Sequence, residues 1–331
     1  MRRLLTRISL PFLLLLASGP HAAAPGFDVA REDIQGFVTR MATVHQFDRG
    51  ELTALIGDAV PQQRIVEAIQ RPAERTMTWW EYRARFLTPD RINSGVLLME
   101  ENQEILQRIA GQSGVPAEYL VAITGVETFF GKITGRYRVL DALATLGFDY
   151  PPRGDFFRRE LEQYLLMARE EGLDPRVPLG SYAGAMGVPQ FMPSSFRSYA
   201  IDGNGDRHRD LWQAWPDVFA SIGNYFKVHG WRSGEPVLSD ATIATSPDDP
   251  ATARMALNET VAGLRARGYV FETTLPDSTA AMLIPAGQET GMSWRIGYQN
   301  FYVITRYNRS PLYAMAVHDL AVAIREGATT Q

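Results

Sequence analysis

Val121-Ala-Ile-Thr-Gly-Val-Glu127-Thr-Phe-Phe-Gly131 sets one carboxylate in a run of small and apolar residues. The context suits a helix. Pro116 fits a first turn, where its missing N–H costs nothing, and Leu120, Val121 and Thr124 share one side by three- and four-residue spacing. Glu127 then falls near the end of that helix, beside Gly125 and Gly131, which leave room for a ligand or another segment to approach. Partial desolvation of such a carboxylate disfavours its charged form and moves its pKa toward the range where it donates a proton near neutral pH. That is the profile of a general acid. The residues alone leave a second reading open, a buried structural glutamate paired with Arg136 or Arg138.

About fifty residues downstream stands Gly180-Ser-Tyr-Ala-Gly-Ala-Met-Gly-Val-Pro-Gln190-Phe-Met-Pro-Ser-Ser195, too rich in glycine and proline for one regular element. It reads as a shaped loop entering a helix at Pro193 or Ser194, its small residues letting backbone pass close to a ligand. Together with Gly-Val-Glu127-Thr, Arg138-Val-Leu-Asp-Ala-Leu-Ala-Thr-Leu146, Asn224-Tyr-Phe-Lys-Val-His-Gly-Trp231 and Tyr307-Asn308, it resembles the lytic murein transglycosylase B family, membrane-bound and soluble. The blocks follow in the family's order, and the resemblance extends from about Phe27 to the C-terminus. It implies an α+β, mainly helical fold: a lysozyme-like catalytic core, an additional helical region and a small β-containing subdomain.

Composition sets looser limits. The 331 residues are 45% hydrophobic and 21% charged, values of a globular chain with a sizeable core. A formal net charge of -4 gives no support to a nucleic-acid partner. Cysteine is absent, which excludes disulfides, a thiolate metal site, a cysteine nucleophile and a lipid on an N-terminal cysteine. Arg2, Arg3 and Arg7 precede the apolar run Leu10-Pro-Phe-Leu-Leu-Leu-Leu-Ala17, with small residues following through Ala24. We read residues 1–24 as a cleavable secretory signal in preference to an uncleaved interfacial anchor, its apolar run too short to span a bilayer comfortably as a helix. The mature chain is then an exported protein without a transmembrane segment, placed by the resemblance in the periplasm.

Organisation follows periodicity. Apolar residues recur at helical spacing from Phe27 to about Ile109, giving a helical subdomain over 25–105, joined by a C-terminal helix at 310–327. In Thr78-Trp-Trp-Glu-Tyr-Arg-Ala-Arg-Phe86 the aromatics read as core packing ahead of a sugar-stacking surface. The catalytic core occupies 106–232, with a helix from Asp155 to Glu171 stopped by Gly172. Over 233–305, the runs Glu235–Leu238, Gly268–Phe271, Ala280–Ile284, Met292–Tyr298 and Phe301–Thr305 read as short strands. Leu257 to Arg267 among them reads as a helix, as does Leu312 to Ile324.

Glycoside hydrolysis usually needs two carboxylates. No second one declares itself: Asp141 reads as a helix N-cap, and Asp149 and Asp155 flank the turn Tyr150-Pro-Pro-Arg-Gly154. The resemblance implies that one suffices. In that family a single glutamate, here Glu127, protonates the departing N-acetylglucosamine oxygen. It then accepts the proton of the substrate's own C6 hydroxyl as that attacks C1 of N-acetylmuramic acid, leaving a 1,6-anhydro end. It also implies substrate contacts for Ser181, Gln190, Tyr225, Tyr307, Asn308 and Tyr313. For each of these a local structural hydrogen bond is the competing reading, and for Tyr313 it is the preferred one. Where the family carries two consecutive arginines, this chain has Pro152-Arg153, leaving Arg153 for contacts with the peptide stem. A hydrolytic muramidase and a non-catalytic peptidoglycan-binding module are the competing functions. Peptidoglycan strands are the expected partner, with cell-wall synthesis proteins beside them.

Asp202, Asn204 and Asp206 hold positions one, three and five of an EF-hand-like loop, but Arg207 stands at six and Gln213 at twelve. The residues leave open an Asx-rich turn with no metal. The resemblance implies a structural calcium there, completed by the backbone carbonyl of His208. The chemistry needs no cofactor.

Overall fold

The computed structural model describes residues 26–71, 77–243 and 256–329. The signal reading at 1–24 lies outside these. The chain opens with α1 (Glu32–His45), α2 (Arg49–Asp58), α3 (Gln63–Ile69), α4 (Trp79–Phe86), α5 (Pro89–Glu101) and α6 (Gln103–Ser113). Side chains start three of them: Asp48 accepts the Glu51 N–H at α2, Glu81 reaches back to accept the Thr78 N–H in a capping box at α4, and Thr88 accepts the Arg91 N–H at α5 with Pro89 in first position. Trp79 and Tyr82 of α4 are buried, so the core-packing reading holds for these two, while Trp80 keeps 39% of its surface exposed.

The central helix is α7 (Ala117–Thr128), with Pro116 as its N-cap. Its residues from Tyr119 to Val126 are all buried, as a helix apolar all round requires. It packs against α5, α6, α11 (Trp215–Val228) and α14 (Pro311–Thr329). Gly125 permits this crossing: a β-carbon there would stand 2.7 Å from the Phe130 ring and 2.9 Å from Leu320. Farther along the same contact the Tyr119 hydroxyl meets His318 Nδ1 at 2.7 Å.

Between α7 and α11 lie β1 (Tyr137–Arg138), α8 (Val139–Phe148), α9 (Gly154–Glu171), β2 (Leu179–Gly180) and α10 (Pro193–Tyr199). The helix expected to stop at Gly172 does so, with Gly172 left-handed at φ 66°. Asp141 is not the N-cap of α8, which falls on Arg138. Its carboxylate instead accepts the Val60 N–H and two hydrogen bonds from Arg138, tying α8 to the end of α2.

The remaining strands are β3 (Leu238–Ile243), β4 (Glu259–Thr260), β5 (Tyr269–Val270), β6 (Ala280–Gly287) and β7 (Met292–Gly297), in the antiparallel order β4-β6-β7-β3-β5. This sheet has its own small core of Val261, Leu264, Tyr269, Leu283, Trp294 and Ile296. Three expectations need correction. The run Glu235–Leu238 becomes strand only at Leu238 and continues to Ile243. The helix expected over Leu257–Arg267 is shortened to α12 (Val261–Ala266), because Glu259 and Thr260 pair with Ala281 and Ala280. Phe301–Thr305 is not a strand but lies within α13 (Gln299–Tyr307). Phe301, Ile304 and Thr305 satisfy helical spacing as well as they satisfy β-propensity, and all three are buried. Asn300 decides the matter, its side chain accepting the Arg232 N–H and donating to the Arg232 and Glu235 carbonyls.

Candidate active site

Glu127 occupies the last turn of α7, half-buried. Phe129, Phe130 and Gly131 follow it in left-handed backbone, φ 51°, 57° and 79°, and reverse the chain. The turn is fastened from within and from without: Gly131 N–H donates to Thr128 Oγ1, which itself lies 3.0 Å from the Val188 carbonyl.

The loop carrying Ser181 and Gln190 is held against this turn. Gln190, left-handed at φ 52°, donates from Nε2 to the Thr134 carbonyl at 3.0 Å and to the Gly187 carbonyl at 2.8 Å. Two carbonyl partners fix that atom as the amide nitrogen and leave Oε1 as the side chain's acceptor. Ser181 Oγ accepts N–H groups from Ala183 and Ala185, which leaves its hydrogen to donate. Strand pairing of Tyr137 with Gly180 and Arg138 with Leu179 closes the same seam.

Tyr313, from the first turn of α14, donates its hydroxyl to Glu127 Oε1 at 2.6 Å. Its bond is therefore made to the proposed acid itself. Burial pushes the phenols of Tyr313 and Tyr307 well above their usual range, and the negative charge of Glu127 adds to the push. Both remain hydrogen-bond donors at any working pH. Tyr307 donates to the Pro189 carbonyl at 2.6 Å and stacks on Tyr313, centroids 6.4 Å apart at 12°. Tyr225, pushed up to about 12 by burial, donates to the Arg306 carbonyl at 2.6 Å and lies 4.8 Å from the Tyr307 ring. Phe191, Tyr225, Tyr307 and Tyr313 thus form a run of rings from the loop to the carboxylate. With its hydroxyl given to backbone and its ring buried among Phe191, Tyr199, His229 and Tyr307, Tyr225 makes the structural hydrogen bond and packs the run from behind, in place of the substrate contact expected of it. Asn308, half-buried, ends α13 beside this run.

Arg138 is not a partner of Glu127, being bound to Asp58 and Asp141, and Arg136 lies over Tyr137. The other carboxylates considered have partners of their own: Asp141 as above, Asp149 with Arg31, and Asp155 with Arg158. Arg153 sits exposed on a short turn packed against α8 and α9, its guanidinium 4.4 Å from the Phe156 ring centroid. Two contributors escaped the sequence reading. Thr128 is the staple just described, and Tyr82 lies near enough to Tyr313 to add to the push on its phenol. No spacing signal announces either.

The Asp202 loop is built from its own side chains. Asp202 accepts N–H groups from Gly205, Asp206 and Arg207, Asn204 Oδ1 accepts from Asp206, and Asp206 Oδ1 accepts from His208. Desolvation opposes the charge on Asp202, but those N–H groups outweigh it and hold the carboxyl below its usual range. Arg207 adopts the left-handed conformation, φ 75°, that glycine normally supplies at position six. The buried Asp217 clamps the loop by accepting from Gly203 and Asp210. Among the described residues no three His, Asp or Glu side chains converge as a metal site, since the loop offers two carboxylates and an amide.

Residues 30–322 match the family model of the transglycosylase SLT domain. The chain belongs to the lytic transglycosylases. It is 39% identical to the membrane-bound lytic murein transglycosylase B of Escherichia coli (strain K12) over 299 residues, 88% of this chain and 82% of that protein. Catenated lytic transglycosylase SltB1 from Pseudomonas aeruginosa superimposes with a TM-score of 0.87 at 47% identity, covering 90% of this chain and 98% of that one. The Escherichia coli lytic transglycosylase Slt35, solved in complex with calcium, superimposes with a TM-score of 0.84 at 39% identity, covering 92% and 96%. The mainly helical, lysozyme-like α+β fold of this lytic transglycosylase is the one expected from its motifs. Among its described residues no helix is long and apolar enough to cross a membrane.

Proposed function

We propose that this lytic transglycosylase acts in the periplasm on peptidoglycan, cutting the β-1,4 bond between N-acetylmuramic acid and N-acetylglucosamine with formation of 1,6-anhydro ends. The observation that carries the reading is Glu127 Oε1 held at 2.6 Å by a buried phenol, at a turn stapled to the Ser181–Gln190 loop. Glu127 protonates the leaving oxygen and then, as carboxylate, takes the proton of the attacking C6 hydroxyl. Ser181 Oγ and Gln190 Oε1 supply a donor and an acceptor for acetamide and hydroxyl groups, and the half-buried Tyr307, backed by the buried Tyr225 and Tyr313, forms a wall for the sugar rings. A C6 hydroxyl held against C1 has an effective concentration far above that of bulk water, so it wins the competition. Muropeptides released by the purified protein are expected to end in 1,6-anhydro-N-acetylmuramic acid, lighter by one water than hydrolytic products, when measured by mass spectrometry. Predominantly reducing ends would instead establish a muramidase. Glycan binding without either product would leave a binding module.

The Asp202 loop fits calcium with modest affinity. Asp202, Asn204, Asp206 and the His208 carbonyl would hold the ion, and the side chains of Asn204 and Asp206 already meet at 2.9 Å. No carboxylate stands at position twelve, which places the site toward the millimolar end of extracellular calcium loops. Calcium added to chelated protein is expected to raise the melting temperature with saturation, and Asp206→Ala to abolish the rise. A flat response through the millimolar range would show the loop to be a metal-free turn.

A further inference from the structure

Between Glu127 and β1 the chain carries Lys132 and Arg136, two exposed cations. They line a concavity of about 480 Å³ together with Ile133, Tyr137, Ser181 and Tyr182. Lys132 Nζ lies 3.4 Å from Ser94 Oγ and 4.5 Å from the Phe129 ring centroid, and Arg136 lies over Tyr137 at 5.7 Å. Neither forms an ion pair among the described residues, whereas Arg138, two positions on, binds two carboxylates. Arg64 brings a third positive charge over the same Tyr137 ring, at 5.0 Å, with Gln62 as its hydrogen-bond acceptor. In a chain with formal net charge -4, the two uncompensated cations that line this concavity, Lys132 and Arg136, are a local feature that favours an anionic ligand.

The concavity shares Ser181 with the proposed active site, and its floor is fixed to that site. Gln190 bonds the Thr134 carbonyl, and Gly135 passes so close to Gly180 that no side chain fits between them. A ligand here is therefore continuous with whatever occupies the cleft. The glycan backbone of peptidoglycan offers hydroxyls and acetamides, which are neutral. Its anionic parts are the free carboxylates of the short peptides borne on its lactyl groups. Those peptides also carry alanine methyls, and the rim exposes matching apolar surface in Ile133, 69% exposed, and Tyr182, 40% exposed.

We propose that Lys132 and Arg136 bind the carboxylates of the peptide stem and make the enzyme select stem-bearing glycan over bare glycan. The assignment rests on the peptidoglycan reading above, and it adds to Arg153 two further cations, on the loop that follows α7. Partly exposed charge pairs of this kind are each worth a few-fold in binding, more where arginine meets carboxylate in bidentate fashion.

The test compares kcat/KM on glycan strands bearing stems with that on the same strands stripped by an amidase. Wild-type protein is expected to favour the stem-bearing strands. That preference should fall roughly threefold in Lys132→Gln and in Arg136→Gln, and about tenfold in the double variant. Raised salt should erode the wild-type preference in the same direction. Arg49→Gln, on α2, controls for net charge. Melting curves confirm that the exposed substitutions leave the fold intact. A double variant that keeps the wild-type preference, or that loses equally on both strands, overturns the assignment. Wild-type protein that cuts both strands with equal efficiency also overturns it while sparing the peptidoglycan reading. Failure to cut either strand overturns both.

Discussion

Replacing Glu127 with glutamine is expected to lower turnover by at least about a hundredfold, the low end of what a general acid contributes, in a protein that stays folded and binds glycan. Glutamine keeps the volume of the side chain and an oxygen at the position that accepts the Tyr313 hydroxyl, so this 2.6 Å contact can persist. What it lacks is a transferable proton and a basic oxygen, and the mechanism asks for both in succession. Tyr313→Phe makes the useful comparison. It preserves the ring stacked on Tyr307 and deletes only the donor to Oε1, a hydrogen bond to a charged group, with an expected loss on the order of tenfold. Steady-state release of soluble muropeptides, read alongside the melting temperature, measures both. A folded Glu127→Gln protein with turnover within a few-fold of wild type would remove Glu127 from the chemistry. An equal loss in both variants would mean that Tyr313 contributes more than orientation.

How much of this was legible in the sequence depends on whether the deciding forces were local. The central helix was, because an apolar run behind Pro116 must be buried all round wherever it lies. The strands Ala280–Gly287 and Met292–Gly297 were also legible, being β-prone runs bounded by turn residues. Phe301–Thr305 misled because its residues fit a strand and a helix equally, and the tie is broken by Asn300 bonding to a segment more than sixty positions away. Asp141 misled in the same way: its place early in α8 suggested a cap, while its actual partner, Val60, arrives from the end of α2. At the site, the proposal of Glu127 as the acid came from its neighbours in the chain. The value of Tyr313 did not, since the two residues are 186 positions apart and only the packing of α14 on α7 joins them. The left-handed backbone of Gln190 was equally hidden, because a non-glycine residue there follows from its side-chain bonds to Thr134 and Gly187.

Gly135→Ala is expected to be the most damaging substitution outside the catalytic residues. Gly135 has φ 111°, which a side chain tolerates poorly, and a β-carbon would stand 2.0 Å from the carbonyl carbon and oxygen of Gly180 and 2.5 Å from the Ser181 nitrogen. Every one of those atoms is backbone, so no rotamer change relieves the clash. The two segments must part instead, and their separation strains the Gln190–Thr134 hydrogen bond and the Tyr137–Gly180 pairing together. Backbone strain and overpacking each cost about 1–3 kcal/mol, giving a combined loss of roughly 2–6 kcal/mol in chemical denaturation. Turnover should fall further than stability alone explains. The seam that parts is the one positioning Ser181 and Gln190 against the turn of Glu127, and a misplacement of about 1 Å can cost on the order of a hundredfold. The measurement is kcat at a temperature where the variant remains folded by circular dichroism. A variant that melts with the wild type and retains its kcat would show that the two loops are not held in register by this contact, and would detach the Ser181 loop from the catalytic geometry proposed for Glu127.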